Sequence, residues 1–283
     1  MSKINMTTIE IKTTNGYSIT AQIYEAGKNA VLIIASATGI KQGFYKKFAD
    51  FVSANGITVI TFDYAGIGLS LKQPIKKLKN NAADWGKNDL EAVIKYAKDN
   101  YPNTKITLLG HSIGGQLVGL AKSSSHIQKL ILVAAQSGYW KLWKGKDKVK
   151  MWFNWHILFP TLIKIFGYLP SKKISGMEDL PKNVAKQWSS WGRRPNYLFD
   201  EVSEQDLYFN NITAKTVSIS IENDFYAPKE AVDWFTQKYQ KADVIKLHLK
   251  PGDYNTKEIG HFGIFSSKFK MNLWKLLLDE IEK

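Results

Sequence analysis

Residues 105–115 run Lys-Ile-Thr-Leu-Leu-Gly-His-Ser-Ile-Gly-Gly, a short β-forming run that ends in Gly-His-Ser-Ile-Gly. This pattern predicts a strand, a sharp turn with Ser112 at its apex, and a helix that continues through residues 116–122. Such a turn forces the serine into a positive φ, a strained conformation that is typical of functional positions. Gly110 and Gly114 flank the serine where a Cβ would collide with neighbouring backbone. The pentapeptide alone also fits an incidental serine, so the rest of the chain must decide.

The composition limits the class of protein. The chain has 283 residues, of which 44% are hydrophobic, enough for one large domain or for a domain with an insertion. It has no cysteine, which excludes disulfides, thiolate metal sites and a cysteine nucleophile; no metal or cofactor is predicted. Residues 1–8 lack the apolar run of a leader peptide, and the most apolar window, 151–169, is broken by polar residues and a proline. We therefore expect a cytoplasmic protein without a membrane-spanning helix.

The charge balance is the main indication of an anionic partner. The net charge is +14, and most of the basic residues are lysines spread through amphipathic patterns. The only arginines are the adjacent Arg193 and Arg194. No nucleic-acid-binding motif is present, so we expect no nucleic-acid partner. Transient contact with an anionic membrane, through Trp152, Trp155 and nearby lysines, is a further interpretation.

Strand patterns alternate with helical patterns along most of the chain. Two short strands are predicted on either side of Thr14-Asn15-Gly16, a hairpin signal. Besides the strand before Ser112, further strands are predicted at 30–35, 57–63, 129–135, 216–221 and 244–249, and helices at 44–54, 85–98, 229–240 and 265–281. This alternation implies right-handed crossovers and a mainly parallel sheet. Function collects at the carboxyl ends of parallel strands, where Ser112 lies.

The alternation lapses between residues 136 and 211. Between residues 137 and 199, twelve basic residues face only three acidic ones. We predict a core domain, 1–136 and 212–283, and a helical cap (lid), 137–211, that overhangs the Ser112 edge of the sheet. The alternative is a helical elaboration that packs its own small core. Six of the nine tryptophans lie in this segment, namely Trp140, Trp143, Trp152, Trp155, Trp188 and Trp191.

A serine nucleophile needs a base to take its proton, and histidine is the usual choice. The candidates are His111, His126, His156, His248 and His261. His261 is preferred because it follows a strand end, in a glycine-containing loop at the edge where Ser112 lies. His111 is adjacent to Ser112, and neighbours on a tight turn point apart, so a packing role is predicted for it. The other three lie at the opposite edge of the sheet, in the cap, or inside a strand.

The base in turn needs a carboxylate to fix its tautomer and to stabilise its charged form. Asp63, Glu222 and Asp224 all lie at or near the ends of predicted strands. Asp224 is preferred because it falls between Ser112 and His261 in chain order and precedes a helix start. Glu222 is retained as a neighbouring alternative, whereas Asp63 is expected to tie down its own turn.

Two backbone N–H groups are needed to stabilise the oxyanion of an acyl-transfer reaction. One is expected from Ile113, directly after the nucleophile. The second is expected from the loop after the first parallel strand, residues 36–39, with Thr38 preferred over Ala37.

The order Ser112, Asp224, His261 occurs with the motifs Gly-His-Ser-Ile-Gly-Gly, Phe62-Asp-Tyr-Ala-Gly-Ile-Gly-Leu-Ser70 and Gly260-His261-Phe262. In these features the chain resembles the α/β-hydrolase superfamily, most closely its lid-bearing serine esterases, the monoglyceride-lipase-like and serine-aminopeptidase-like enzymes. The resemblance covers nearly the whole chain. It implies an eight-stranded, mostly parallel sheet with helices on both faces and a helical cap inserted after the sixth strand. Many members carry His-Gly before the oxyanion residue, where this chain has Ser36-Ala37-Thr38.

The predicted function is that of a serine hydrolase that cleaves a carboxylic ester or thioester through an acyl-enzyme. The aromatic cap predicts a small-molecule substrate with an apolar acyl group. Trp188, Trp191, Arg193 and Arg194 are candidate substrate-binding residues, although a solvated role for the arginines is preferred. An amidase, a peptidase or an acyltransferase would use the same first half-reaction, and a non-catalytic basic, Trp-rich binding module is a third interpretation. The sequence leaves the oligomeric state open.

Overall fold

The computed structural model describes residues 6–27 and 30–283. Residues 1–5, part of the stretch compared with a leader peptide, lie outside the described residues. The strands in chain order are β1 (Met6–Lys12), β2 (Ser18–Tyr24), β3 (Ala30–Ala35), β4 (Thr58–Phe62), β5 (Lys105–His111), β6 (Lys129–Val133), β7 (Tyr168–Leu169), β8 (Leu180–Pro181), β9 (Lys215–Ile221) and β10 (Asp243–Leu249).

Eight of these strands form one sheet in the order β1-β2-β4-β3-β5-β6-β9-β10. Strand β2 runs antiparallel to both β1 and β4, and the pairs from β4 to β10 are all parallel. The parallel strands β4 and β6 are buried along their whole length, which explains why their sequences, Thr-Val-Ile-Thr-Phe and Lys-Leu-Ile-Leu-Val, are mostly apolar. The predicted eight-stranded, mostly parallel sheet is confirmed.

The helices are α1 (Lys46–Ala54), α2 (Ala82–Asp84), α3 (Glu91–Asn100), α4 (Ile113–Gln116), α5 (Gly145–Phe153), α6 (Phe159–Phe166), α7 (Lys182–Arg193), α8 (Lys229–Thr236), α9 (Gly260–Gly263) and α10 (Leu273–Glu282). Two π-helical turns, Trp85–Leu90 and Asn154–Leu158, join α2 to α3 and α5 to α6. Helices α1 and α10 pack together on one face of the sheet, where the rings of Phe48 and Trp274 lie 5.6 Å apart. Helix α3 packs on the other face.

The helix predicted over residues 116–122 is wrong in extent. Helix α4 ends at Gln116 and is followed by separate 3₁₀ turns. A continuing α-helix would pair the N–H of Ser123 with the carbonyl of Gly119. Instead Ser123 N donates to Glu91 Oε2 at 2.7 Å, and Gly119 O accepts from Tyr208 N at 2.7 Å. The long closing helix is also shorter than predicted, since α10 begins at Leu273.

Residues 137–211, which we call the insertion, connect β6 to β9. Helices α5 and α6 with the π turn between them, the β7–β8 pair, and α7 make up its first part. Trp143, Met151 and Trp155 form a separate apolar cluster there. The last part, from Tyr197 to Phe209, packs into the main core beneath the sheet edge. In the described residues, no helix is both long and apolar enough to cross a bilayer.

Candidate active site

Ser112 sits at a strained turn between β5 and α4. Its φ is +54° and its ψ is −120°, a conformation that residues other than glycine rarely adopt. The turn is held by a hydrogen bond from Ser112 N to Val133 O at 2.8 Å. A Cβ at Gly114 would lie 2.1 Å from the carbonyl oxygen of Ala35, so only glycine lets the start of α4 pack this closely on the end of β3. The predicted turn geometry is therefore present.

His261 and Asp224 form a buried pair. His261 Nδ1 lies 2.8 Å from Asp224 Oδ2, and both side chains are almost wholly enclosed. The other carboxylate oxygen, Oδ1, accepts from the backbone N–H groups of Tyr226 at 2.8 Å and Ala227 at 3.1 Å. Since Asp224 holds Nδ1 as a donor, the second ring nitrogen of His261, Nε2, is left as the proton acceptor.

The Ser112 hydroxyl points at Gln136, the third residue after β6. Its one hydrogen bond within the described residues is to Gln136 Oε1, at 3.5 Å. The same oxygen accepts from Gln116 Nε2 at 3.2 Å, and Gln136 Nε2 donates to Tyr226 O at 3.0 Å. Gln136 thus connects the nucleophile turn to the loop that carries Asp224. Gln136 is not among the residues predicted from the sequence, although its place at the carboxyl end of a parallel strand is a signal that could have identified it.

The backbone around Ser112 leaves N–H groups available for an oxyanion. Ile113 begins α4, where the first N–H groups have no partner within the helix. Thr38 and Ala37 both line the cavity that contains Ser112. However, the N–H of Ala37 already donates to the hydroxyl oxygen of Tyr45 at 2.9 Å. This engagement leaves Thr38 as the better-placed second donor.

His111 takes part in a hydrogen-bonded chain and does more than pack. Its Nε2 faces the backbone carbonyl of His261 at 3.0 Å, and because a carbonyl only accepts, Nε2 must carry the hydrogen. Its Nδ1 therefore accepts from the Tyr45 hydroxyl, at 2.8 Å. Burial holds the pKa of His111 well below its usual value, so the ring is neutral. Ala37, Tyr45, His111 and His261 are linked in that order.

A cavity of about 260 Å³ lies between the sheet edge and the insertion. Ser112 and His261 open into it from the sheet side. The residues that line it from the insertion are mostly apolar and include Trp143, Met151, Trp155, Leu158, Phe159 and Trp188. The site therefore combines a small polar floor with aromatic and aliphatic walls.

The structure brings only some of the predicted substrate-binding residues to this cavity. Trp188 lines it. Trp191 does not, because it is fully buried against Tyr197 in the core. Arg193 and Arg194 lie on the outside of the insertion, where Arg194 Nε donates to Glu201 Oε1 at 2.7 Å. Their guanidinium groups are excluded from the cavity because α7 turns its other side towards Ser112.

The alternative acids and bases also lie elsewhere. Asp63 accepts hydrogen bonds from Gln42 N at 2.7 Å and Leu69 N at 2.9 Å, so it ties its own loop, and burial raises its pKa. The carboxylate that contacts His261 is that of Asp224 and not that of Asp63 or Glu222, and the three remaining histidines, His126, His156 and His248, do not line the cavity.

Comparison with known proteins identifies the family to which this fold belongs. The model of the serine aminopeptidase S33 family matches residues 26–221, more than half of the chain. The chain belongs to this family. It is therefore an α/β hydrolase, and its fold is the one that the sequence predicts. No curated protein matches the sequence significantly.

Solved structures similar to this S33-family hydrolase include several esterases. An esterase from Pyrococcus furiosus, Pf2001, is 19% identical, with 99% of this chain and 91% of that chain covered and a TM-score of 0.65. An esterase from Exiguobacterium antarcticum is also 19% identical, with 97% and 99% covered and a TM-score of 0.62. DcsB, solved with a substrate analogue, is 15% identical, with 98% of each chain covered and a TM-score of 0.61. At these identities the likeness establishes the fold alone.

Proposed function

We propose that this S33-family hydrolase cleaves carboxylic esters or thioesters with Ser112 as nucleophile, His261 as base and Asp224 as the acid that orients it. The observation that carries the proposal is the His261–Asp224 pair, 2.8 Å apart and buried, whose imidazole opens into the same cavity as Ser112. If His261 only packed in the core, this role would not explain why a strained serine opens into the same cavity.

In the proposed reaction the Ser112 hydroxyl first rotates from Gln136 to Nε2 of His261. Nε2 takes the proton as Oγ attacks the carbonyl carbon, and Asp224 stabilises the imidazolium. The N–H groups of Ile113 and Thr38 hold the oxyanion. His261 then protonates the leaving alkoxide or thiolate, and the acyl group stays on Ser112. Water, deprotonated by His261, hydrolyses this acyl-enzyme and restores the serine.

The apolar walls of the cavity support a small, apolar acyl group as the bound part of the substrate. Trp143, Met151, Trp155 and Phe159 form an apolar wall on the insertion side, where Lys150 is the one charged residue among those that line the cavity. We assign the first part of the insertion, which covers the cavity, the role of a lid, and the remaining chain the role of the catalytic core.

Labelling with a fluorophosphonate tests the nucleophile. Wild-type protein should be labelled stoichiometrically, and Ser112→Ala should not; an unlabelled wild type over pH 6–9 would overturn the catalytic assignment. Hydrolysis of p-nitrophenyl esters of increasing acyl length, beside the matched p-nitroanilides, tests the bond. We expect ester turnover with an optimum at a short or medium chain, whereas anilide turnover at the ester rate would replace the esterase by an amidase.

A further inference from the structure

The outer side of helices α5 and α6 exposes a row of large apolar residues. We call this row the outer face; its members are between 36% and 67% exposed and comprise Val149, Trp152, Phe153, Ile157, Ile165 and Phe166. Val149, Trp152 and Phe153 are spaced three and four residues apart and so share one side of α5. Single exposed apolar residues are ordinary in folded proteins, but a row along one element marks an interaction surface.

The inner side of the same helices is apolar too. Met151 and Trp155 are buried in the insertion's own apolar cluster, and Ile163 is buried in the main core. A helix that packs on a core needs only one apolar side, so the second, exposed apolar side of these helices is available to bind a partner.

A basic groove lies beside the outer face, between α6 and α7. It has a volume of about 380 Å³ and is lined by the cationic side chains of Lys164, Lys182, Lys186 and Arg193, with Pro160 and Ile163 among its apolar walls. All four cations are exposed, and none of them forms an ion pair within residues 6–27 and 30–283. Four like charges around one concavity repel each other, and an anion placed between them relieves that repulsion.

We propose that the outer face docks on an anionic phospholipid surface and that the α6–α7 groove holds a headgroup phosphate. Lys164, which lines the groove, and the exposed Ile165 and Phe166 all belong to the last turn of α6, so this cation and the apolar side chains lie within one helical turn of each other. Apolar insertion and lysine–phosphate attraction are the two terms that bind interfacial helices to membranes. A second copy of the chain fits less well, because it would place the same lysines opposite one another.

The cavity that contains Ser112 reaches the surface of the insertion at Ile174. Ile174, which is half exposed, lines the cavity that contains Ser112 and lies next to Lys172 and Lys173 on the outside of the insertion. The surface does not depend on the catalytic assignment, and Ser112→Ala should therefore bind vesicles like the wild type.

Sedimentation with vesicles of phosphatidylglycerol and phosphatidylcholine tests the groove. Lys182→Gln with Lys186→Gln should weaken partition onto these vesicles roughly 30-fold, as expected for two lysines at an anionic surface. The matched control is Lys47→Gln with Lys95→Gln, two exposed lysines on α1 and α3 that remove the same net charge. If both double variants lost vesicle binding equally, the loss would be explained by net charge alone, and the proposed role of the groove would be refuted.

A second pair of variants tests the outer face. Ile165→Asp with Phe166→Asp should abolish vesicle binding, whereas Ile245→Asp with Met271→Asp, at exposed positions outside the insertion, should not. Hydrolysis of a water-soluble ester should be unchanged in both, which checks folding. Binding of inorganic phosphate in the groove without any vesicle binding would refute a phospholipid as the ligand. So would a dimer, seen by sedimentation equilibrium, that Ile165→Asp with Phe166→Asp dissociates.

An independent observation concerns the chain of hydrogen bonds from Ala37 to His261. We infer that Tyr45 and His111 are positioning residues, which hold the oxyanion loop at a fixed distance from the base. The inference rests on the proposed function. Tyr45 and His111 are fully buried, and each uses both of its hydrogen-bonding sites in this chain. A shift of the tyrosine would therefore move the loop of Ala37 and the loop of His261 together.

Kinetics of Tyr45→Phe test this inference. Loss of the hydroxyl should lower kcat between about tenfold and 100-fold with little change in KM, because a small misplacement acts on the transition state. His111→Gln, which can accept and donate as the imidazole does, should keep more activity than His111→Phe. The pH profile of Tyr45→Phe should match the wild type, since His111 stays neutral. A lower melting temperature of Tyr45→Phe with unchanged kcat would mean that these hydrogen bonds only stabilise the fold, and it would refute the inference. A wild-type protein that is not labelled by the fluorophosphonate would instead refute the proposed function.

Discussion

The hydroxyl of Ser112 donates to the side-chain carbonyl of Gln136, at 3.5 Å, and not to His261. Hydroxyl hydrogen bonds are usually 2.7–2.8 Å long, so this contact is weak and little energy is needed to break it. The proposed nucleophile is therefore hydrogen-bonded to Gln136 and not to its proposed base.

Replacing Gln136 should release the serine. In Gln136→Met, which conserves volume, the hydroxyl has His261 as its remaining partner. We expect fluorophosphonate labelling at pH 7 to be at least as fast as in the wild type. Stability should fall by about 1–3 kcal/mol, because Gln116 Nε2 loses its acceptor in a buried place. Labelling slowed more than tenfold would mean instead that Gln136 assists the reaction.

Asp224 and Glu222 can be distinguished by matched amide substitutions. Asp224→Asn keeps the shape of the side chain but removes the negative charge that orients His261 and stabilises its charged form. We expect kcat to fall on the order of 10³–10⁴-fold. Glu222→Gln, two residues earlier and outside the cavity, should stay within about twofold of the wild type. Steady-state kinetics on one ester decide between them, and the reverse pattern would assign the acid to Glu222.

Gly114 should tolerate no side chain. The Cβ of Gly114→Ala would lie 2.1 Å from Ala35 O, a backbone atom of β3 that cannot move without breaking the sheet. We expect a loss of at least about 3 kcal/mol in the free energy of unfolding, at or above the usual range for overpacking. Gly43→Ala is the control, because no atom lies within 4 Å of its Cβ position and its φ is not positive. Urea denaturation of both variants measures the difference; equal stability would refute the close approach.

The pH dependence of stability should reveal the buried Asp89. Burial raises its pKa to about 7, although Ala65 N and the Tyr17 hydroxyl contact its two oxygens at 2.8 and 2.6 Å. Between about pH 4 and pH 7 the folded protein keeps the proton that the unfolded chain has lost, so stability falls as pH rises through this window. Asp89→Asn mimics the protonated acid and lacks this loss. Relative to the wild type it should gain roughly 1–3 kcal/mol from pH 4.5 to pH 7.5, and a constant difference would contradict the raised pKa.

Trp188 should limit the length of the acyl group. Removing its ring in Trp188→Ala enlarges the cavity, and kcat/KM for long-chain esters should rise relative to that for acetate esters. A change of about tenfold in this ratio corresponds to 1.4 kcal/mol, within reach of a few buried methylene groups. Arg193→Gln with Arg194→Gln serves as the control and should leave the ratio unchanged, because neither side chain lines the cavity. A ratio that moves only with the arginines would place the substrate outside the cavity.

Much of the fold follows from the sequence because the central parallel strands β3, β4 and β6 are mostly apolar and are separated by turn signals. Strand β3 begins and ends at the predicted residues, Ala30 and Ala35. Helix α4 is shorter than the sequence predicts, and the backbone groups that follow it are hydrogen-bonded to Glu91 and Tyr208, which are remote in sequence. The two π-helical turns are also not predicted, because no local sequence pattern marks them.

The candidate site was less accessible to sequence reasoning than the fold. The order of Ser112, Asp224 and His261 along the chain was enough to propose them, since each follows a strand end. The role of His111 was not, because its partners Tyr45 and His261 lie 66 and 150 residues away. The orientation of α7 decides that Trp188 faces the cavity while Arg193 faces solvent. Helical spacing gives the angle between two such residues but not which of them points inwards.

The positive φ of Ser112 bears on what natural selection maintains in this chain. Glycine occupies that conformation without strain, so Ser112→Gly should raise the stability of the fold while removing the proposed nucleophile. Mutational drift alone would favour that exchange, since it needs one substitution and costs the fold nothing. Six residues other than glycine have a positive φ in the described part of the chain, and at Ser112 a serine in place of the unstrained glycine is what the proposed role as nucleophile would require.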